Sequence, residues 1–249
     1  MENLVKNLEN LALKYNVIGI KQSFEDEGVL IEDVILARKI TDKCGLQIFV
    51  KIGGCEAKSD LNNCINIGVD NIIAPMVESE FSLSKFINIT NIHSNTINKY
   101  IVVETKTAYE KIDELLKLAK TNLNGIIVGR SDFSKSYNLD KSDCDSEFIF
   151  YKVKDIFLKS KKEKLQTTLG GNISTKSVNF IKEMYSNNLL DKIETRNIVL
   201  KLNDNNIFQL DQTIQSILKF EIEWNEFKRN KMISSLNELD NRIKLLNNR

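Results

Sequence analysis

One unit recurs along the chain and limits what it can fold into: a helical stretch, a glycine, an apolar run of five or six residues, and a polar or glycine-containing end. Its clearest copies are D-K-C-G-L-Q-I-F-V-K-I-G-G (Asp42 to Gly54), N-I-G-V-D-N-I-I-A-P-M-V-E-S (Asn66 to Ser79) and N-L-N-G-I-I-V-G-R-S-D (Asn122 to Asp132). Gly45, Gly68 and Gly125 stand where a helix must stop and the chain reverse, a place that favours positive φ, so all three are read as C-caps. Weaker copies start at Val17, Lys99, Lys164 and Lys192, which brings the predicted strands to seven. Amphipathic segments such as Leu30 to Lys43 and Ala108 to Ala119 lie between them. Strict β/α alternation demands a mostly parallel sheet covered by helices.

Ile-Ile-Val, Ile-Phe-Val and Ile-Val-Val are continuous apolar runs, as expected of strands buried on both faces. An open doubly wound sheet gathers its polar residues at one switch point, whereas here they close almost every strand, and that favours a (β/α)8 TIM barrel. The count is one strand short. Either the N-terminal helix Glu2 to Tyr15 replaces the first βα unit, or a short strand is hidden in the sequence. Residues 1–206 are assigned to the barrel and 207–249 to a C-terminal helical extension. In that extension Met232, Leu236, Leu239, Ile243 and Leu246 are spaced four, three, four, three, the seam of a coiled coil. It packs either on its own barrel or on a neighbouring subunit.

Charge and composition narrow the function. Lys+Arg 35 against Asp+Glu 34 leaves a formal net charge of +1, so no global field points to nucleic acid or an anionic membrane. No apolar run is long enough to span a bilayer, and the first residues lack a signal-peptide core, so a cytoplasmic protein is expected. Cys44, Cys55, Cys64 and Cys144 lack C-x-x-C spacing and are read as thiols. With His93 as the one histidine, multi-histidine metal sites are excluded, and any metal must be held by oxygen.

Strand ends of a parallel barrel point into a common mouth. Glu104 follows Tyr100-Ile-Val-Val and Asp132 closes the next strand, so the two carboxylates are candidate ligands for one hard cation, Mg²⁺ or Mn²⁺. Two protein ligands leave room for a bidentate 2-oxo acid, polarised by the ion as Lewis acid. Gly129 lets the backbone approach a ligand, and amides beside Arg130 and Ser131 are placed to take its carboxylate. For Asp132 alone, a helix N-cap is the competing reading. Lys51 is a charge inside the apolar strand I-F-V-K-I and needs a carboxylate or an anionic ligand, or else serves as a Schiff-base lysine. Glu194 and Arg196 are read as an internal ion pair, and Glu25-Asp26-Glu27 as a turn closed by Gly28.

The segments I-I-A-P-M-V-E-S, V-V-E-T-K-T-A-Y-E-K-I-D-E-L-L and I-I-V-G-R-S-D-F-S-K-S-Y resemble the HpcH/HpaI aldolase and citrate lyase β-subunit family, in order and spacing, from Val17 to about Leu200. The resemblance implies a barrel of the phosphoenolpyruvate/pyruvate type and a metal-dependent lyase, with Glu104 and Asp132 as ligands and the backbone of Gly129 and Ser131 holding a substrate carboxylate. It also implies a trimer or hexamer with exchanged C-terminal helices. Three departures stand out: Lys51 where the family's aldolases carry arginine, no histidine base, and Arg130 in place of a proline.

The expected reaction is retro-aldol cleavage of a 2-oxo-4-hydroxy acid, or its reverse, through a pyruvate enolate. Lys51, aided by Arg130, offsets the charge on the enolate oxygen, and Glu25, Asp26 or a metal-bound water moves the proton. The expected partners are a 2-oxo acid and an aldehyde. The rivals are a citrate-lyase-like acyl-CoA lyase and a catalytically silent barrel serving as a binding or assembly subunit.

Overall fold

Eight strands close into one barrel in sequence order. The computed structural model describes residues 1–24, 28–93 and 95–248. The strands are β1 (Val17–Ser23), β2 (Gln47–Lys51), β3 (Asn71–Ala74), β4 (Asn98–Val103), β5 (Gly125–Gly129), β6 (Gln166–Gly170), β7 (Lys192–Glu194) and β8 (Ile198–Lys201). Around them run α1 (Glu2–Tyr15), α2 (Ile31–Cys44), α3 (Lys58–Ile67), α4 (Glu80–Thr90), α5 (Lys106–Glu110), α6 (Ile112–Ala119), α7 (Arg130–Ser136), α8 (Glu147–Lys162), α9 (Val178–Ser186), α10 (Asp204–Phe208) and α11 (Leu210–Asn247).

The missing strand lies inside K-I-E-T-R-N-I-V-L. Two short strands share that stretch, and Thr195, Arg196 and Asn197 turn between them. The Thr195 amide donates to the Ile198 carbonyl at 2.9 Å, and the Ile198 amide donates to the Thr195 hydroxyl at 3.3 Å. From α11, Glu221 accepts the Thr195 hydroxyl at 2.6 Å and the Asn197 amide at 2.5 Å. β8 consequently runs antiparallel to both β7 and β1, while β1 to β7 pair parallel. The N-terminal helix replaces no strand. It buries Leu4, Leu8, Leu11 and Tyr15, one stripe at helical spacing, and packs on α2 and α11.

Period-two alternation sorts the strand residues into two cores. Phe49, Ile73, Tyr100, Val102, Ile127 and Val199 fill the barrel, and their opposite-parity neighbours join the layer between strands and helices. Gly45 and Gly68 are the expected left-handed caps, with φ of 64° and 77°. Gly125 is not. It opens β5, where a Cβ would lie 2.5 Å from the Gln166 carbonyl oxygen, so close strand approach requires the glycine there.

The extension has two halves. From Leu210 to Trp224, α11 buries Leu210, Ile214, Ile217, Phe220 and Trp224 against the barrel body. Asn7 donates to Glu223 at 2.6 Å and Lys228 pairs with Asp33 at 3.0 Å, tying the helix to α1 and α2. Residues 229–248 are all exposed, including the five seam residues Met232, Leu236, Leu239, Ile243 and Leu246. The seam is not packed on the barrel in this structure.

Candidate active site

The parity that places Tyr100 and Val102 inside the barrel carries on to Glu104, one residue past β4. The same rule turns Lys51 inward above Phe49 and leaves Gly129 inward above Ile127. These residues line a mouth cavity of about 320 Å³ together with Lys21, Ser23, Ser131, Asp132, Glu194 and Glu221. The sequence-predicted residues Lys51, Glu104, Gly129, Ser131 and Asp132 therefore do meet.

Glu104 is 3% exposed. Its Oε1 accepts the Met76 amide at 2.9 Å, presented by a left-handed backbone at Met76 with φ of 51°. Thr105 accepts the Ala108 amide as N-cap of α5 and donates to Glu78 at 2.6 Å, so the E-T and V-E-S motifs interlock. Oε2 lies 3.8 Å from the Lys51 ammonium. A Cβ on Gly129 would stand 3.0 Å from that oxygen, so the glycine makes the space in which the carboxylate sits. Burial pushes the Glu104 carboxyl above its ordinary range. Lys51 and the Met76 amide oppose this, and the nearby charges of Asp132 and Glu194 add to it.

Such a donor set fits a hard divalent cation. A desolvated carboxylate turns one oxygen toward the cavity, and two further carboxylates stand close enough to load it with negative charge. Asp132, in the first turn of α7, is half-exposed and holds Lys135 at 3.2 Å. The residue preceding α7, Gly129, gives that helix no side-chain cap. Among the described residues no group of three His, Cys, Asp or Glu side chains converges as a metal cage. An ion here would have Glu104 and Asp132 as its protein ligands, with the other positions left to water and substrate.

Arg130 corrects the sequence reading. Gly129 faces inward, so the next residue points out of the barrel, and its guanidinium is fully buried away from the mouth. It donates to the carbonyls of Gly170 (3.2 Å), Cys144 (3.4 Å) and Gly171 (2.9 Å) and to the Ser177 hydroxyl (3.2 Å). It also pairs with Asp145 and lies over the Phe180 ring at 5.0 Å. Burial lowers its pKa, and Asp145 counters that. Gly171, with φ of +77°, packs against the start of α7: a Cβ there would lie 2.4 Å from the backbone nitrogen of Arg130 and 2.5 Å from that of Ser131. Arg130 thus clamps the turn after β6 and is no cation for an enolate.

Glu25 and Asp26 lie outside the described residues. The ion pair that Glu194 makes is with Lys21, at 2.7 Å, across the mouth end of β8. Arg196 sits exposed at the hairpin tip. Sequence reasoning overlooked Lys21, whose only signal was a charge inside V-I-G-I-K-Q-S two residues before the strand ends.

A second cavity, of about 580 Å³, opens at the opposite end of the barrel beside Gln47, Asn98, Gln166, Asp191 and Lys201. Its inner wall is Lys192, which donates to Gln166 at 2.7 Å and to the Tyr100 hydroxyl at 3.2 Å, with its nitrogen 4.4 Å from the Tyr100 ring centre. These contacts stopper the barrel bottom, an end that serves stability in this architecture.

A model of the HpcH/HpaI aldolase/citrate lyase family matches residues 29–174, more than half of the chain. Among solved structures, the chain is similar to an HpcH/HpaI aldolase from Desulfitobacterium hafniense DCB-2, with a TM-score of 0.61 and 12% identity over 73% of this chain and 77% of that one. It is similar also to an HpcH/HpaI aldolase/citrate lyase family protein from Burkholderia cenocepacia J2315 (TM-score 0.62, 11% identity, 88% and 91% covered). A citrate synthase variant, SbnG, gives a TM-score of 0.61 at 12% identity, with 90% and 92% covered. At such identities the likeness speaks for the fold alone. No curated protein matches the sequence.

Proposed function

The chain belongs to the HpcH/HpaI aldolase/citrate lyase family, a family of lyases, and from that premise we propose a metal-dependent carbon–carbon lyase that cleaves or forms a 2-oxo-4-hydroxy acid through a pyruvate enolate. The observation that carries the reading is the Glu104 carboxylate, buried, fixed through one oxygen by the Met76 amide and open to the cavity through the other. Mg²⁺ or Mn²⁺ on Glu104 and Asp132 would supply Lewis acidity toward the 2-oxo acid.

The chain's own residues do the rest. Gly129 leaves the backbone bare beside the cavity, and the uncapped first turn of α7, with Ser131 on the cavity wall, offers amides to the substrate carboxylate. Lys51 places an ammonium inside the mouth, where it offsets negative charge developing on the C2 oxygen. As a lysine it does so as a point charge, without the bidentate fork of an arginine. The exposed seam of α11 docks on further copies of the chain, giving a homo-oligomer.

A second reading, an acyl-CoA lyase, draws on one feature: Lys135 and Lys141 stand on the cavity rim, where thioester phosphates would need cations. The aldolase reading needs no such rim and accounts for the buried carboxylate directly.

The test is binding and exchange. Mn²⁺ plus oxalate at about 100 Kd should stabilise the wild-type protein by roughly 2.7 kcal/mol, and pyruvate in D₂O should take up deuterium at its methyl group. Glu104→Gln and Asp132→Asn should each abolish both effects. Absence of both in the wild type would make the chain a silent barrel, and unchanged exchange in either variant would refute the assigned ligands.

A further inference from the structure

Retro-aldol cleavage needs a group that removes the proton of the C4 hydroxyl and a group that delivers one to C3. The titratable side chains of the cavity narrow the choice. Glu104 and Asp132 are the residues that would hold the ion, and Lys135 is engaged by Asp132. Lys51 stands beside Glu104, opposite the enolate oxygen. Arg196 is exposed at the hairpin tip. Glu221 is locked by the Thr195 hydroxyl and the Asn197 amide, and Lys141 is exposed on the rim. What remains among the described residues is the pair Glu194 and Lys21.

Its geometry is specific. Gly129 and Gly170 are register partners on β5 and β6. Glu104 lies over the first of these glycines and Glu194 over the second, where a Cβ would stand 3.0 Å from the Glu194 Cγ and Oε1. The two carboxylates therefore lie over neighbouring strands at one level of the mouth. Glu194 is buried, its Oε1 is held by the Lys21 ammonium at 2.7 Å, and no hydrogen bond to its Oε2 is made by a described residue. The β7–β8 hairpin that carries it is pinned by Glu221 from α11. A carboxylate is thus held rigidly, with a free oxygen, next to the place that the lyase reading gives to substrate.

We propose that Glu194, positioned by Lys21, is the proton carrier of the reaction. Its carboxylate takes the proton of the C4 hydroxyl as the C3–C4 bond breaks. The bonding pair passes into the C2–C3 bond of the enolate, and the aldehyde departs. The same proton then passes from Glu194 to C3, giving the methyl group of pyruvate. One proton leaves oxygen and arrives on carbon, so the cycle needs no outside acid or base. The inference rests on the lyase reading, and it gives the work of the absent histidine to a residue at the end of β7, which β8 alone separates from β1.

Three measurements test it on the full-length protein. Glu194→Gln should keep Mn²⁺–oxalate thermal stabilisation while methyl deuterium exchange falls by at least about a hundredfold, the range of a lost general acid–base group. Glu194→Ala should lose exchange equally and regain at least about tenfold of it on addition of formate, which enters the vacated space and carries the proton. Exchange in Glu194→Gln within about threefold of wild type overturns the proposal. So does loss of Mn²⁺–oxalate stabilisation in that variant, since the residue would then be holding the site. Failure of formate to rescue the alanine variant also counts against it. If the wild-type protein shows neither stabilisation nor exchange, the lyase reading itself falls and takes the proposal with it.

Discussion

Replacing Arg130 by methionine tests whether this arginine belongs to the active site or to the frame beneath it. The side chain is fully buried, donates to three carbonyls and a hydroxyl, and pairs with Asp145. Methionine keeps much of the apolar volume but leaves Asp145 and those acceptors without their donor. Breaking one side of a buried ion pair costs about 3–5 kcal/mol. A chain of 249 residues unfolds with an entropy of roughly 0.5 kcal/mol/K, so Tm should fall by about 6–10 °C. Differential scanning calorimetry with and without Mn²⁺–oxalate reads both quantities. The ligand-induced shift should survive in the folded variant, because the guanidinium does not reach the cavity. Adding Asp145→Asn should cost about 1–3 kcal/mol less than the sum of the two single changes, since the pair is removed together. The reasoning is refuted if Arg130→Met melts within 2 °C of wild type yet no longer responds to Mn²⁺–oxalate.

Two further outcomes follow from the two ends of the molecule. Burial lowers the Lys192 pKa to about 8. Between there and the ordinary lysine value the unfolded chain binds more protons, so stability rises with pH. Chemical denaturation should show wild type gaining about 1–2 kcal/mol relative to Lys192→Met between pH 8 and pH 10, and parallel curves would show that the amine is not held as described. Truncation after Lys228 removes residues that bury nothing against the barrel, so monomer stability should change by less than about 0.5 kcal/mol. Sedimentation should show the full chain as an oligomer and the truncated chain as a smaller species; equal masses would dismiss the seam as a subunit contact.

Parts of the site were legible in the sequence because strand parity is local. Glu104 and Lys51 stand one or two residues from apolar runs whose alternation fixes which face they join, and Asp132 follows the next run in the same frame. Arg130 was misread for the same kind of reason. Its own strand end says only that a charge stands near the mouth, and the one-residue step past the inward-facing Gly129 is what turns it outward. Lys21 and Glu194 come from the first and seventh strands, and nothing in either segment marks the other as its partner. The hidden strand in K-I-E-T-R-N-I-V-L was missed because a three-residue turn needs neither glycine nor proline when Thr195 and Glu221 close it.

The sequence by itself determined the alternation of strand and helix, the barrel that follows from it, and the faces of most strand residues, since each depends on side chains within a few positions of one another. Tertiary structure decided how the ring closes, with an antiparallel eighth strand. It decided also which charges meet across the mouth, that Arg130 supports the frame, and that α11 beyond Lys228 stands exposed, away from its own barrel. Those outcomes depend on groups distant in the chain competing for the same space and the same hydrogen bonds, and that competition is settled only once the barrel has closed.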